Sequence, residues 1–158
     1  MPQFSGLNHV SLSVTDLDAS EGFYTRLLGF RRILDVGYAR ICIHQGTGFV
    51  LALVRHEKGR GERFTELTTG LDHLGFAAAD RDELVEWAAR MDQLGAEHSP
   101  VQDMPLGYHL NFRDPDGIAL ELQAPTAAYS AVLADVATRE VSDEEVAALA
   151  ARLLGPPA

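Results

Sequence analysis

Two of the six histidines in this 158-residue chain recur at one place in a repeated motif. Leu7-Asn8-His9-Val10-Ser11-Leu12-Ser13-Val14-Thr15-Asp16 and Leu71-Asp72-His73-Leu74-Gly75-Phe76-Ala77-Ala78-Ala79-Asp80 share Leu, His and Asp at matching positions. Between those anchors apolar residues alternate, which is the period of a strand. Val10, Leu12 and Val14 take one face of the first strand and Leu74, Phe76 and Ala78 that of the second. His9, Ser11 and Ser13, and His73, Gly75 and Ala77, take the other, which reads as a cavity wall. A third chemical group is Glu121, mid-strand in "IALELQ", sharing a face with Ala119 and Gln123. A carboxylate there is costly to bury alone and reasonable facing water or a cation. Two imidazoles and one carboxylate are the makings of a metal site with open positions for substrate, water or oxygen. A metal so held polarises an oxygen atom or stabilises an enolate. The alternative is that duplication preserved two core histidines bonded to backbone. His109 and Asn111, on one face of the neighbouring strand, are candidates for an acid or base and for a group orienting a substrate oxygen. Their plainer fates are a part-exposed strand histidine and an amide satisfying backbone.

Stiff strands must position these groups, and the pattern supplies them twice. A helix follows each repeated strand. Asp18 with Glu21, and Asp80 with Glu83, read as capping boxes. Phe23, Leu27 and Leu28 form one helical stripe, and Leu84, Val85, Ala88, Met91 and Leu94 the other. Gly29 and Gly95 stand where a helix ends in glycine. Three short strands are then expected at 31–36, 39–45 and 49–55, and at 97–101, 108–112 and 118–123. Asp114-Pro115-Asp116-Gly117 is a turn. The reading is a single α+β domain over 1–158. It has a first βαβββ module at 5–55, a charged, solvated linker at 56–70, a second module at 71–124 and a tail at 125–158. The tail has one evident helix, from a Ser142/Glu145 capping box through Val146, Leu149 and Leu153 to Gly155.

Composition narrows the function classes. A net charge of −10 with scattered basic residues argues against nucleic acid and anionic membrane as partners. No apolar run approaches the roughly 20 residues of a membrane span, and "MPQFSG" lacks the regions of a signal peptide. A lone Cys42 makes no internal disulfide and reads as a small buried hydrophobe, so a reducing cytoplasm is the expected compartment. His44, His56 and His98 lack repeat partners. Trp87, Tyr108 and Phe112 read as core, and Arg113 as a surface partner of Asp114 or Asp116. Neither a glycine-rich phosphate loop nor a Ser-His-Asp nucleophile is visible.

With "LNHVSLSVTDLDASEGFYTRLLGF", "GLDHLGFAAAD" and "FRDPDGIALELQ" the chain resembles the vicinal oxygen chelate superfamily, which includes glyoxalase I, bleomycin-resistance proteins and type I extradiol dioxygenases. The resemblance spans Leu7 to Gln123. It implies paired βαβββ modules forming a cupped mixed sheet with helices outside, usually in a homodimer, around a divalent metal: Fe(II), Mn(II), Zn(II) or Ni(II). It places the ligands at His9, His73 and Glu121, with Ala52 where glyoxalase I and methylmalonyl-CoA epimerase relatives carry Glu or Gln. What it then favours is a metal-dependent enzyme of dioxygenase, transferase or lyase type, chelating a small organic substrate through adjacent oxygens. The match to any one activity is partial. Asn111 stands where the dioxygenases place a tyrosine, and the region of Val101 and Pro105 lacks the basic residues of fosfomycin-resistance enzymes. Ser11 suits the latter. The alternative function is a non-enzymatic antibiotic-binding resistance protein that uses the dimer groove.

Overall fold

Alternation along the two repeated segments becomes real strand geometry. The structure, a computed structural model, describes residues 4–155, so the first three residues of "MPQFSG" lie outside it. The first module runs β1 (His9–Ser13), α1 (Leu17–Leu28), β2 (Arg31–Asp35), β3 (Ala39–Ile43) and β4 (Val50–Val54). The second runs β5 (Leu74–Ala77), α2 (Arg81–Leu94), β6 (Gln102–Met104), β7 (Gly107–Arg113) and β8 (Ala119–Pro125), and the tail carries α3 (Ala127–Val136) and α4 (Asp143–Leu154). Each module makes a four-stranded mixed sheet, ordered β1-β4-β3-β2 and β5-β8-β7-β6. In each, the first strand lies parallel to the last. The chain is α+β. It divides into two compact units, one reaching Asp72 and including Arg113–Ala119, the other starting at His73 and leaving out that segment.

Burial follows the expected faces. On β1, Leu12 is buried, followed by Val14, while His9, Ser11 and Ser13 are exposed. Beneath the first sheet Tyr24, Leu27, Cys42, Leu51 and Leu53 are almost wholly buried. The second unit buries Leu84, Met91, Leu110, Phe112 and Leu120. Leu27 and Leu84 come from the predicted stripes, and Cys42 is the small buried hydrophobe expected.

The caps show where local reading was right and where it slipped. Gly29 and Gly95 adopt left-handed φ of 75° and 67° and close the two helices, a conformation that costs a Cβ-bearing residue. Asp80 caps α2 by accepting the Glu83 N–H. For α1 the cap is Asp16, not Asp18: its carboxylate accepts from the Asp18 and Ala19 N–H groups. The helix therefore starts earlier, and Glu21 is released to pair with Arg40 at 2.7 Å. The strand expected at 97–101 forms at Gln102–Met104, with only an isolated bridge joining His98 to Phe112. Its register opposite β7 is set by the Met104↔Gly107 hairpin end. The tail holds α3 as well as the expected α4. Ala127–Val136 gives no clear apolar stripe, but Thr126 caps it by accepting the Tyr129 N–H, and Val132 is buried. On α4 the Ser142/Glu145 capping box is present; Leu149 and Leu153 are half-buried and Val146 is exposed.

Arg113 pairs with Glu66 across two contacts, not with Asp114 or Asp116. Those aspartates are occupied. Asp114 Oδ1 accepts the N–H groups of Asp116 and Ile118, and Oδ2 accepts the Tyr24 hydroxyl at 3.0 Å. Asp116 accepts the Thr15 N–H and hydroxyl. Burial holds the Asp114 carboxyl above the usual carboxylate range, against the lowering effect of its donors, chiefly the Ile118 N–H. The folded chain thus binds this proton more tightly than the unfolded chain does. Its contribution to stability is complete below the ordinary carboxylate value and is lost as pH rises through the folded value. Asp114→Asn keeps an oxygen for both N–H groups and an amide for the Tyr24 oxygen. The expected result in urea unfolding across an acidic pH series is a flatter stability profile than wild type. Asp114→Ala, which orphans buried donors, should cost about 3 kcal/mol.

Candidate metal centre

Glu121 occupies the middle of β8 and is buried, with only 9% of its surface exposed. The parallel pairing of β5 and β8 sets Gly75 opposite it. A Cβ built at Gly75 would lie 3.8 Å from Glu121 Oε2, so this cross-strand position is open toward the carboxylate. His109 of β7 reaches Glu121 Oε1 through Nδ1 at 2.6 Å. Its other nitrogen, Nε2, is 3.5 Å from the Gln123 amide nitrogen. The chain of donors runs one way: the Gln123 amide donates to Nε2, and Nδ1–H donates to the carboxylate. One glutamate oxygen is thereby held. The other, Oε2, lies 3.4 Å from His73 Nε2. His73 itself is 44% exposed, so this end of the cluster opens to solvent.

That spacing suits a shared cation. Two ligands each about 2.1 Å from one ion, at tetrahedral to right angles, stand about 3.0–3.4 Å apart. His109 holds the Glu121 carboxylate through one oxygen, as outer partners do for carboxylates in metal sites. That contact adds positioning as a candidate role for His109, beside the acid or base suggested by its strand face. The donor chemistry of His73 and Glu121, imidazole nitrogen and carboxylate oxygen, fits a divalent ion.

His9 belongs to the first unit and lies on the exposed face of β1. Its Nδ1 is 2.8 Å from Asn8 Oδ1. Since that oxygen only accepts, Nδ1 is the donor in this contact, and Nε2 is left out of it. Among the described residues, no group of three or more His, Cys, Asp or Glu side chains is arranged to hold a metal ion. The structure thus brings His73, His109 and Glu121 together and presents His9 separately. Asn111 sits on the exposed side of β7, where its backbone N–H donates to Ser99 Oγ.

The register also shows why the first module lacks a matching carboxylate. Ser11, two residues after His9, pairs with Ala52 as Gly75 pairs with Glu121. Ala52 is the structural counterpart of Glu121, as the sequence repeat implied. The duplicated scaffold therefore carries two inequivalent sides.

Comparison with known proteins decides the family. The chain belongs to the Glyoxalase/Bleomycin resistance protein/Dioxygenase superfamily. The profile of that superfamily matches residues 6–122. A crystal structure of a glyoxylase/bleomycin resistance protein/dioxygenase domain from Frankia sp. EAN1pec is 35% identical, with a TM-score of 0.71 over 78% of this chain and 99% of that one. A mutant of FosX, the genomically encoded fosfomycin resistance protein of Listeria monocytogenes, has been crystallised with Mn(II) and 1S,2S-dihydroxypropylphosphonic acid. It is 25% identical, with a TM-score of 0.64 over 80% of this chain and 95% of that one. The uncharacterized protein YwkD of Bacillus subtilis (strain 168) is 26% identical over 123 residues, 73% of this chain and 94% of its own. No helix among the described residues of this superfamily member is long and apolar enough to cross a membrane.

Sequence reasoning missed Asn8 and Gln123. Both sit beside a singled-out residue, and the repeat offered a signal for the first: Asn8 and Asp72 precede the two histidines at the same offset. If His109 orients Glu121, His109→Phe should lower divalent-metal affinity by about 10–100-fold without unfolding the chain. Titration calorimetry with Mn(II), alongside circular dichroism, measures both.

Proposed function

We propose that this chain is a divalent-metal-dependent enzyme of the superfamily, with His9, His73 and Glu121 as ligands, acting on a small organic substrate through adjacent oxygens. The observation that carries this reading is the buried Glu121 carboxylate, pinned on one oxygen by His109 and offering the other beside His73 Nε2. When bound, a divalent ion would polarise substrate oxygens and stabilise an anionic intermediate. Nitrogen and oxygen ligands accept Fe(II), Mn(II), Zn(II) or Ni(II). The chain's own residues do the rest. His109 keeps the carboxylate oriented, and Asn8 keeps His9 in the tautomer that ligates through Nε2. Asn111, whose side chain makes no hydrogen bond among the described residues, is placed to orient a substrate oxygen. Ala52 contributes no fourth ligand, which leaves coordination positions for substrate.

A FosX-like phosphonate substrate has less support. Val101 and Pro105 bring no cation, and nearby Arg81 is committed to Asp103 at 2.9 Å. The site is proposed to be shared in a homodimer, with His9 of one copy meeting His73 and Glu121 of the other.

Metal analysis of protein purified without chelator tests the reading. One equivalent of metal per chain is expected, lost in His73→Ala and in Glu121→Ala. No metal at any loading would leave the drug-binding alternative. Mixing refolded His9→Ala and His73→Ala chains should restore metal binding if the ligands come from two copies, because one intact set then forms per mixed pair. Restoration failing while wild type binds metal as a monomer in light scattering would place all three ligands in one chain.

A further inference from the structure

The linker at 56–70, expected to be merely solvated, builds one side of a cleft. The cleft has a volume of about 390 Å³ and lies within the first unit. Its floor is β1, with Ser11 and Ser13 on the same face as His9. Phe64, Leu71 and Ile118 supply apolar wall, and His56 and Arg60 line it from the linker. The linker folds locally at one end of this span and is tied to the 114–117 turn at the other. Gly59 N–H bonds the His56 carbonyl in a tight turn, and Phe64 N–H bonds the Asp116 carbonyl at 3.0 Å. Asp116 in turn holds Thr15, at the end of β1, through its carboxylate. Wall and floor are therefore fastened to the same turn.

Five polar side chains lining the cleft have no partner among the described residues: Ser11, Ser13, His56, Arg60 and Glu62, the last a carboxylate that leaves the cleft short of a purely cationic lining. The Ser11 and Ser13 hydroxyls make no hydrogen bond among the described residues, and the Arg60 guanidinium pairs with no carboxylate there. Five of the twelve arginines, Arg32, Arg40, Arg81, Arg113 and Arg139, meet carboxylates. A free guanidinium beside apolar wall and two hydroxyls is a receptor for a planar anionic group on a compact apolar body. The volume lies in the ordinary range for small-ligand sites.

We propose that this cleft binds the anionic end of a small organic acid, with Arg60 taking the carboxylate and Ser11 and Ser13 hydrogen-bonding its polar substituents. Resting on the metal reading above, this names the substrate class: two residues along β1 are about 6.6 Å, so a molecule chelated at His9 extends directly over Ser11 toward Arg60. The substrate is then an organic acid with adjacent oxygens at one end and a carboxylate at the other.

The test uses 4-fluorobenzoate as probe and the isosteric neutral 4-fluorobenzamide as control. Binding to the full chain is followed by fluorine and amide NMR, with and without Mn(II). The expected result is that 4-fluorobenzoate binds, shifts the amide resonances of Ser11, Ser13 and Phe64, and weakens about tenfold or more in Arg60→Gln. The benzamide should bind weakly and equally to both. Arg60 is exposed, so this substitution leaves the fold intact; Ser13→Trp, which fills the floor, should abolish binding independently. Equal benzoate affinity in wild type and Arg60→Gln, shifts lying elsewhere, or no binding at millimolar probe each overturn the proposal. Glu121→Ala separates the two readings. Benzoate binding that persists in Glu121→Ala, in a protein that never takes up metal, sustains the cleft and removes only the metal enzyme. Metal uptake without benzoate binding does the reverse.

Discussion

A carboxylate taken out of water must be answered by donors or cations, and Glu121 is the residue on which that constraint bears hardest. An uncompensated charge at its depth would cost several kcal/mol. His109 answers one oxygen at 2.6 Å, and the second faces His73. The arrangement needs a sheet in which β5, β8 and β7 are neighbours, and strand order β5-β8-β7-β6 provides it. A small residue opposite the carboxylate is also needed, and Gly75 is that residue. The second module is thus a frame that holds one buried acid group between two imidazoles.

The first module repeats the frame without the acid. Ala52 replaces it, and the face of β1 is given over to His9 and two serines. Duplication followed by divergence left one copy with a buried carboxylate and the other with alanine in its place. The linker is held against the end of β1 through Phe64 and Asp116.

Locally encoded features read well. Strand faces, terminal glycines and the Ser142/Glu145 box depend on near neighbours and are present, while the helix stripes hold only in part, with Val85, Leu94 and Val146 exposed. Errors came where two nearby residues competed for one role. Asp16 and Asp18 both suit a cap, and only the partner waiting for Glu21, the Arg40 guanidinium 2.7 Å away, shows which one serves. The displacement of β6 has a similar cause, because its pairing follows the turn at Met104–Gly107 and not the apolar content of 97–101. α3 went unseen because an alanine-rich segment shows no stripe when a single valine carries its burial.

By itself the sequence determined the family scaffold: two βαβββ units and the faces of their strands, with His9, His73 and Glu121 singled out on them. Those follow from period, repeat and residue type, which are properties of the chain. Tertiary structure alone decided what each group touches. It joined His109 to Glu121, gave Arg113 to Glu66 across 47 residues, and turned a charged linker into a cleft wall. Such pairings join residues whose separation along the chain carries no information about their separation in space.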